Sequence, residues 1–256
     1  MSGKDLRQLV KSFWELPKPE AMMWVGKYLK SEFKRASDKA EKIKNIRDYE
    51  MRIYSQNGED GILRAIFERM GTTNQYFVEF GVESGRECNT RRLRETGWRG
   101  LWMDAAYEGN GVKKEKVTPG NIERLLSKYR VPREPDLLSI DIDGNDYWVW
   151  EAIRHYRPRV VVIEYNAGWG PREERVAKYE ADFAPDGTNN FGASLAALEK
   201  LGRKKGYVLL GCDGRGVNAF FGRKDAIEGK FEIRSEPELY RPAGYGPGAK
   251  KGGRSS

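Results

Sequence analysis

Long apolar runs are missing from this 256-residue chain. No stretch approaches the roughly 20 residues that a membrane helix needs, and the mean hydropathy is −0.75, which excludes a membrane-spanning helix. The charged N-terminal stretch also lacks the apolar core of a signal peptide, so a cytoplasmic location is expected. Cysteine is nearly absent. Cys88 and Cys212 lie far apart, without metal-type spacing, which excludes a disulfide framework and a cysteine zinc site. Histidine is scarcer still, with His155 alone, and no clear Gly-x-Gly-x-x-Gly occurs, which argues against an NAD-dependent dehydrogenase. Excess positive charge is missing from the middle of the chain: of the net +8, residues 1–54 carry +5, residues 230–256 carry +3, and residues 55–229 carry none. An enzyme acting on nucleic acid usually holds its positive charge beside its active site, so the basic ends point weakly to such a substrate and read first as solvated surface.

What is present is an alternation of apolar strands and amphipathic helices. Tyr76–Phe80 is an apolar, β-prone run that leads through Gly81 and Gly85 into helix-compatible sequence from Glu87 to Thr96, a strand–turn–helix unit able to cradle a nucleotide. Gly81 and Gly85 let the backbone approach a ligand at positive φ, and Glu79 offers it a hydrogen-bond acceptor. An ordinary strand followed by a glycine turn explains the same residues structurally. A second strand, Leu101–Asp104, ends in an acid at the spacing expected for a ribose-binding carboxylate. A short third strand is predicted near Lys116-Val117 and a helix over 121–129. The fourth strand, Asp136–Ile140, exits through Asp141, Asp143 and Asp146, and helix 147–155 follows. The run from Arg159 to Asn166 has the continuous apolar character of a buried parallel strand.

Residues 167–190 lack apolar periodicity and leave the carboxyl end of that strand, so they read as a substrate lid on which Trp169 can stack against a flat acceptor, with Tyr165 a second candidate. Ser194 is expected to cap helix 194–204, and segments 206–211 and 217–221 read as a hairpin. Ser55 to Asp60 place more amide and carboxylate groups before the first strand than one helix cap requires, which makes Gln56 and Asp60 ligand candidates. His155 falls at the far end of its helix and reads as a surface residue, leaving Asp143 or Glu164 as the better general base. Residues 1–53 form a helical appendage with apolar stripes that can cap the core or mediate homo-oligomer contacts; 54–229 form the α/β domain; 230–256 are a basic, disordered tail.

The order of elements, closed by a hairpin, resembles the class I S-adenosylmethionine-dependent methyltransferase fold, and the Ser55-Gln56-Asn57-Gly58-Glu59-Asp60 lead-in with Leu138-Ser139-Ile140-Asp141-Ile142-Asp143-Gly144 resembles FkbM-like methyltransferases. The resemblance covers roughly residues 54–225. Its glycine loop departs from the commoner Asp-x-Gly-Ala-Asn-x-Gly form at Phe80 and Val82-Glu83-Ser84. It implies a doubly wound, Rossmann-like, mostly parallel seven-stranded sheet with a C-terminal antiparallel hairpin. It implies further that Gln56, Glu79, Gly81, Gly85, Asp104 and Asp141 bind S-adenosylmethionine. Some relatives hold a divalent ion at comparable strand ends, which makes Asp141, Asp143, Glu164 and Asn166 candidate Mg²⁺ ligands; helix capping by Asp143 and Asp146, and pairing of Glu164 with an arginine, explain these residues without a metal. The activity implied is methylation of a hydroxyl on a glycan or small molecule, with Asp143 and Glu164 catalytic and Asn166 and Trp169 touching the acceptor. RNA methylation and a non-catalytic cofactor-binding module remain the alternatives.

Overall fold

Seven short strands carry the fold, in a computed structural model that describes residues 41–184 and 187–244, with Gly26 besides. They are β1 (Tyr76–Phe80), β2 (Arg99–Asp104), β3 (Val112–Lys114), β4 (Leu137–Ile140), β5 (Val160–Glu164), β6 (Tyr207–Cys212) and β7 (Asn218–Arg223). They form one sheet in the order β3-β2-β1-β4-β5-β7-β6. The first five run parallel, while β7 lies antiparallel to both β5 and β6. The doubly wound sheet with its antiparallel C-terminal pair is the architecture the sequence predicts. The third strand forms at 112–114, a few residues before its expected place.

Side-chain parity divides the core. Val78, Phe80, Leu138, Ile140, Val161 and Ile163 face one side, where α3 (Ile122–Lys128), α4 (Asp146–Ala152) and α5 (Leu195–Lys204) cover them. Phe77, Trp102, Leu137, Val160 and Val162 face the other, against α1 (Glu59–Met70), α2 (Arg91–Glu95) and α6 (Lys224–Ile227). A parallel sheet covered on both faces needs apolar residues at every strand position, which is why β5 reads as an unbroken Val/Ile run. Ser194 caps α5 as expected, its hydroxyl accepting from the Ala197 N–H at 3.2 Å. The helix expected over 87–96 is shorter, because residues 81–90 are spent on the turn that follows β1.

Packing runs across the domain boundaries expected at 54 and 229. Ile43, Ile46, Tyr49 and Met51 are buried, and Ile43 bridges Phe231. Residues 230–240 are packed, unlike the disordered tail expected there: Leu239, on the single turn α7 (Glu236–Leu239), is buried, and the Tyr240 hydroxyl donates to the Ala167 carbonyl at 2.7 Å. The helices expected before residue 41, and any self-association through them, lie outside the described residues, as do residues 245–256. No helix among the described residues is long and apolar enough to cross a membrane.

Candidate functional site

The strand order reverses between β1 and β4, and in open α/β sheets the carboxyl ends beside such a switch form a crevice. A cleft of about 550 Å³ opens there. Gly81, Asp104, Asp141 and Glu164, which lie at or just after the ends of β1, β2, β4 and β5, all line it, and Gln56 joins them from the segment before α1.

Asp104 is the best-anchored of these groups. One carboxylate oxygen accepts from the Glu83 N–H at 2.8 Å, and the other from the N–H groups of Ala106 and Tyr107 at 2.8 and 2.9 Å. It therefore ties the glycine turn to the loop after β2 while lining the cleft. Gly81, at φ +70°, lines the cleft too, but its lack of a side chain is demanded by the protein itself: a Cβ there would lie 1.6 Å from the Asp141 carbonyl oxygen. The turns after β1 and β4 touch at this glycine.

Three carboxylates meet beyond it. Asp141, Asp143 and Glu164 each offer an oxygen within 4.8 Å of the others. Asp143 sits at φ +55°, a left-handed conformation costly to a residue with a side chain and concentrated at functional sites. Asp146 holds this turn by accepting from the N–H groups of Ile142 and Gly144 at 2.9 and 3.0 Å. Burial, with the neighbouring Asp141 charge, pushes the Asp146 carboxyl up to about 7 against those bonds. Hard oxygen ligands of this kind, three in one place, suit a divalent cation such as Mg²⁺ or Ca²⁺. The donor set fits Mg²⁺.

Several expected site residues lie elsewhere. Glu79 is buried and does not line the cleft. Its carboxylate accepts from the Asn89 and Thr90 N–H groups and from the hydroxyls of Thr90 and Ser139, so it ties down the segment just before α2. Gly85 accommodates the Trp102 ring, 2.8 Å from where its Cβ would stand. Asn166, 1 % exposed, spends its carboxamide on its own loop: it donates to the carbonyls of Asn189 and Phe191 and accepts from the Gly168 N–H, which leaves a metal or substrate role unsupported. Trp169 is buried beneath the Arg175 guanidinium, 4.9 Å from its ring. Tyr165 is buried with its hydroxyl donating to the Arg241 carbonyl, and Asp60 binds the N–H groups of Ile53, Tyr54 and Ser55. His155 lies on the surface against Glu123, as expected.

The segment between β5 and α5 does reach the cleft, through Tyr179 and Phe183 rather than Trp169. The Phe183 ring packs on Gly144, and Asn145 exchanges hydrogen bonds with the Glu180 backbone, so this segment rests on the acidic turn itself. Arg215, from the β6–β7 turn, also lines the cleft. None of these three was identifiable by motif; only the length of the loop after β5 pointed toward two of them.

Among solved structures, the MycE methyltransferase from the mycinamycin biosynthetic pathway, in complex with Mg, SAH and mycinamycin VI, is 19% identical with a TM-score of 0.36 over 66% of this chain and 50% of that one. A SAM-dependent methyltransferase from Aquifex aeolicus is 10% identical, with a TM-score of 0.35 over 62% of this chain and 87% of that one. The mitomycin 7-O-methyltransferase MmcR is 14% identical, with a TM-score of 0.29 over 64% and 55%. The chain spans about half the length of MycE. No curated protein matches it. The methyltransferase FkbM domain matches residues 39–209, well over half of the chain, and the chain accordingly belongs to the FkbM family of methyltransferases.

Proposed function

We propose that this methyltransferase uses S-adenosylmethionine to methylate a hydroxyl of a glycan or small molecule, with Mg²⁺ held by Asp141, Asp143 and Glu164. The observation that carries the reading is the carboxylate trio opening onto the same cleft as Gly81 and Asp104. The cleft's volume lies within the range of small-molecule sites. The ribose assignment of Asp104 is supported by its position in the cleft lining at the end of β2, beside Met103, Val117 and Ile142.

S-adenosylmethionine in this cleft would supply a methyl group already activated by its sulfonium, and its transfer to a hydroxyl oxygen would leave S-adenosylhomocysteine and one proton for a carboxylate to accept. A divalent ion held by Asp141, Asp143 and Glu164 would supply Lewis acidity toward vicinal hydroxyls at the strand ends. The chain's own work is alignment and proton removal. Asp143, the exposed member of the trio, takes the proton, while Asp141 and Glu164, both half-buried, fix the acceptor end of the cleft.

Two results are expected. Calorimetric titration of S-adenosylmethionine and S-adenosylhomocysteine should show binding that Asp104→Ala weakens by at least about tenfold, the worth of one charge-assisted hydrogen bond. No binding to wild type, with or without Mg²⁺, would sink the reading. Glu164→Gln should lower affinity for Mg²⁺, or for Mn²⁺ followed by its paramagnetic signal, by at least about 100-fold, because a lost ligand costs more than the 10–100-fold of a lost outer-shell partner. Unchanged ion affinity would remove the metal from the mechanism.

A further inference from the structure

Arg215 lines the cleft from a turn whose backbone is held on every side. Its turn, Asp213–Val217, joins β6 to β7 at the same end of the sheet as the cleft. The Asp213 carboxylate accepts from the N–H groups of Arg215 at 2.7 Å, Val217 at 3.1 Å and Asn218. The Glu50 carboxylate accepts from the Gly214 N–H at 2.5 Å, and the Gly244 N–H donates to the Arg215 carbonyl at 2.7 Å. Gly216, at φ +71°, leaves no room for a Cβ beside the Pro242 carbonyl, 2.5 Å away. Every one of these bonds uses backbone. The Arg215 guanidinium has no hydrogen bond or ion pair among the described residues, whereas Lys116, the other basic residue lining the cleft, is bound to Asp182 at 2.5 Å.

Sheet order locates this charge. From Asp104 the cleft-lining ends run through Gly81, Asp141 and Glu164 to Arg215, along β2, β1, β4, β5 and the turn leading into β7. With strands roughly 4.8 Å apart, Asp104 and Arg215 stand at opposite ends of the cleft, with the trio between them. Beside the trio, Phe183 packs on Gly144, and Tyr179, 41% exposed, is one of two large exposed hydrophobic residues among those described. The part of the cleft away from Asp104 therefore brings together Tyr179 and Phe183, three carboxylates and a guanidinium. Arginine in such a setting matches a carboxylate.

We propose that the acceptor is a ring bearing both vicinal hydroxyls and a carboxylate, of the uronic-acid or dihydroxybenzoate kind, and that Arg215 is the residue that selects it. The inference rests on the methyl-transfer reading above: the ring lies along Tyr179 and Phe183, its hydroxyls meet the trio, and its carboxylate pairs with Arg215.

The test follows release of S-adenosylhomocysteine from S-adenosylmethionine with Mg²⁺ for two matched pairs, glucuronate with glucose and 3,4-dihydroxybenzoate with 3,4-dihydroxybenzyl alcohol. Wild type should prefer an acid over its neutral partner by about 10- to 100-fold in kcat/KM, the effect of one hydrogen-bonded charge pair. Arg215→Gln should erase the preference and Arg215→Lys restore part of it, with calorimetric affinity for S-adenosylhomocysteine unchanged in both. Equal use of acid and neutral acceptors, use of neither acid by wild type that binds cofactor, or a preference surviving Arg215→Gln overturns the proposal. Weakened S-adenosylhomocysteine binding in Arg215→Gln also overturns it, assigning the arginine to the cofactor. Wild type that binds no cofactor fails the methyl-transfer reading and this inference together.

Discussion

Gly81→Ala is expected to destabilise the fold by about 2–5 kcal/mol and to abolish cofactor binding in whatever protein remains folded. Two costs combine. The left-handed conformation at φ +70° costs an alanine about 1–2 kcal/mol. The new methyl group also meets the Asp141 carbonyl oxygen at 1.6 Å, far inside contact distance, so the turns after β1 and β4 must separate. Forced overpacking of this kind adds typically about 1–3 kcal/mol. Gly229 supplies the control, since it sits at φ +72° with nothing within 4 Å of its Cβ position. Gly229→Ala should register the backbone strain alone, about 1–2 kcal/mol. Urea unfolding of the two variants measures the difference. Equal losses would mean that the two turns do not touch at Gly81. If they do touch, the displaced Asp141 carries its carboxylate away from Asp143 and Glu164, and a loss of ion affinity accompanies the loss of stability.

The acids that reach the cleft were legible because each lies at or just beyond a strand end. Asp104, Asp141 and Glu164 follow apolar runs, and in a parallel sheet such positions open onto the crevice. Glu79 satisfies the same pattern by position but fails it by parity. It shares a face with Phe77, and successive strand residues point to opposite faces, so its carboxylate turns toward α2. The alternation Phe77/Glu79 against Val78/Phe80 held that information. Asn166 and Trp169 stay out of the cleft lining for a different reason. They lie just past β5, but the chain folds back there, and the Asn166 carboxamide is consumed in closing the loop. No periodicity marks where a long irregular segment returns to the cleft, so Tyr179 and Phe183 were illegible until Asn145 could be seen holding the segment down. Arg215 stood in a hairpin turn, where a basic residue is ordinarily just solvated. Only the sheet order brings that turn beside β5.

The opposite end of the sheet bears the second large effect, through Asp136. Its carboxylate, fully buried, accepts from the N–H groups of Thr73, Asn74 and Gln75 at 2.8–3.0 Å and from the Arg159 guanidinium at 2.7 Å. Arg159 donates in turn to the carbonyls of Gly71 and Met70, closing the C-terminal end of α1. One ion pair thus ties α1 to the amino ends of β1, β4 and β5. Burial alone would raise the Asp136 carboxyl, but the Arg159 bond and the three N–H groups hold it below its ordinary 3.8. A depressed carboxyl contributes stability that is fully present above its unfolded value and is lost as pH falls through its folded one. Asp136→Ala should therefore cost about 3–5 kcal/mol near neutral pH, because it strands the Arg159 charge and three N–H donors. The gap to wild type should hold down to about pH 4 and narrow below it, read from urea midpoints across that range. A gap that instead widened in acid would show that Asp136 is protonated in the native protein. The double variant Asp136→Leu/Arg159→Leu removes the stranded charge and should be less destabilised than Asp136→Ala alone. If it is not, the contribution comes from the N–H groups of residues 73–75 and not from the ion pair, and the carboxylate acts chiefly as a cap that sets where β1 begins.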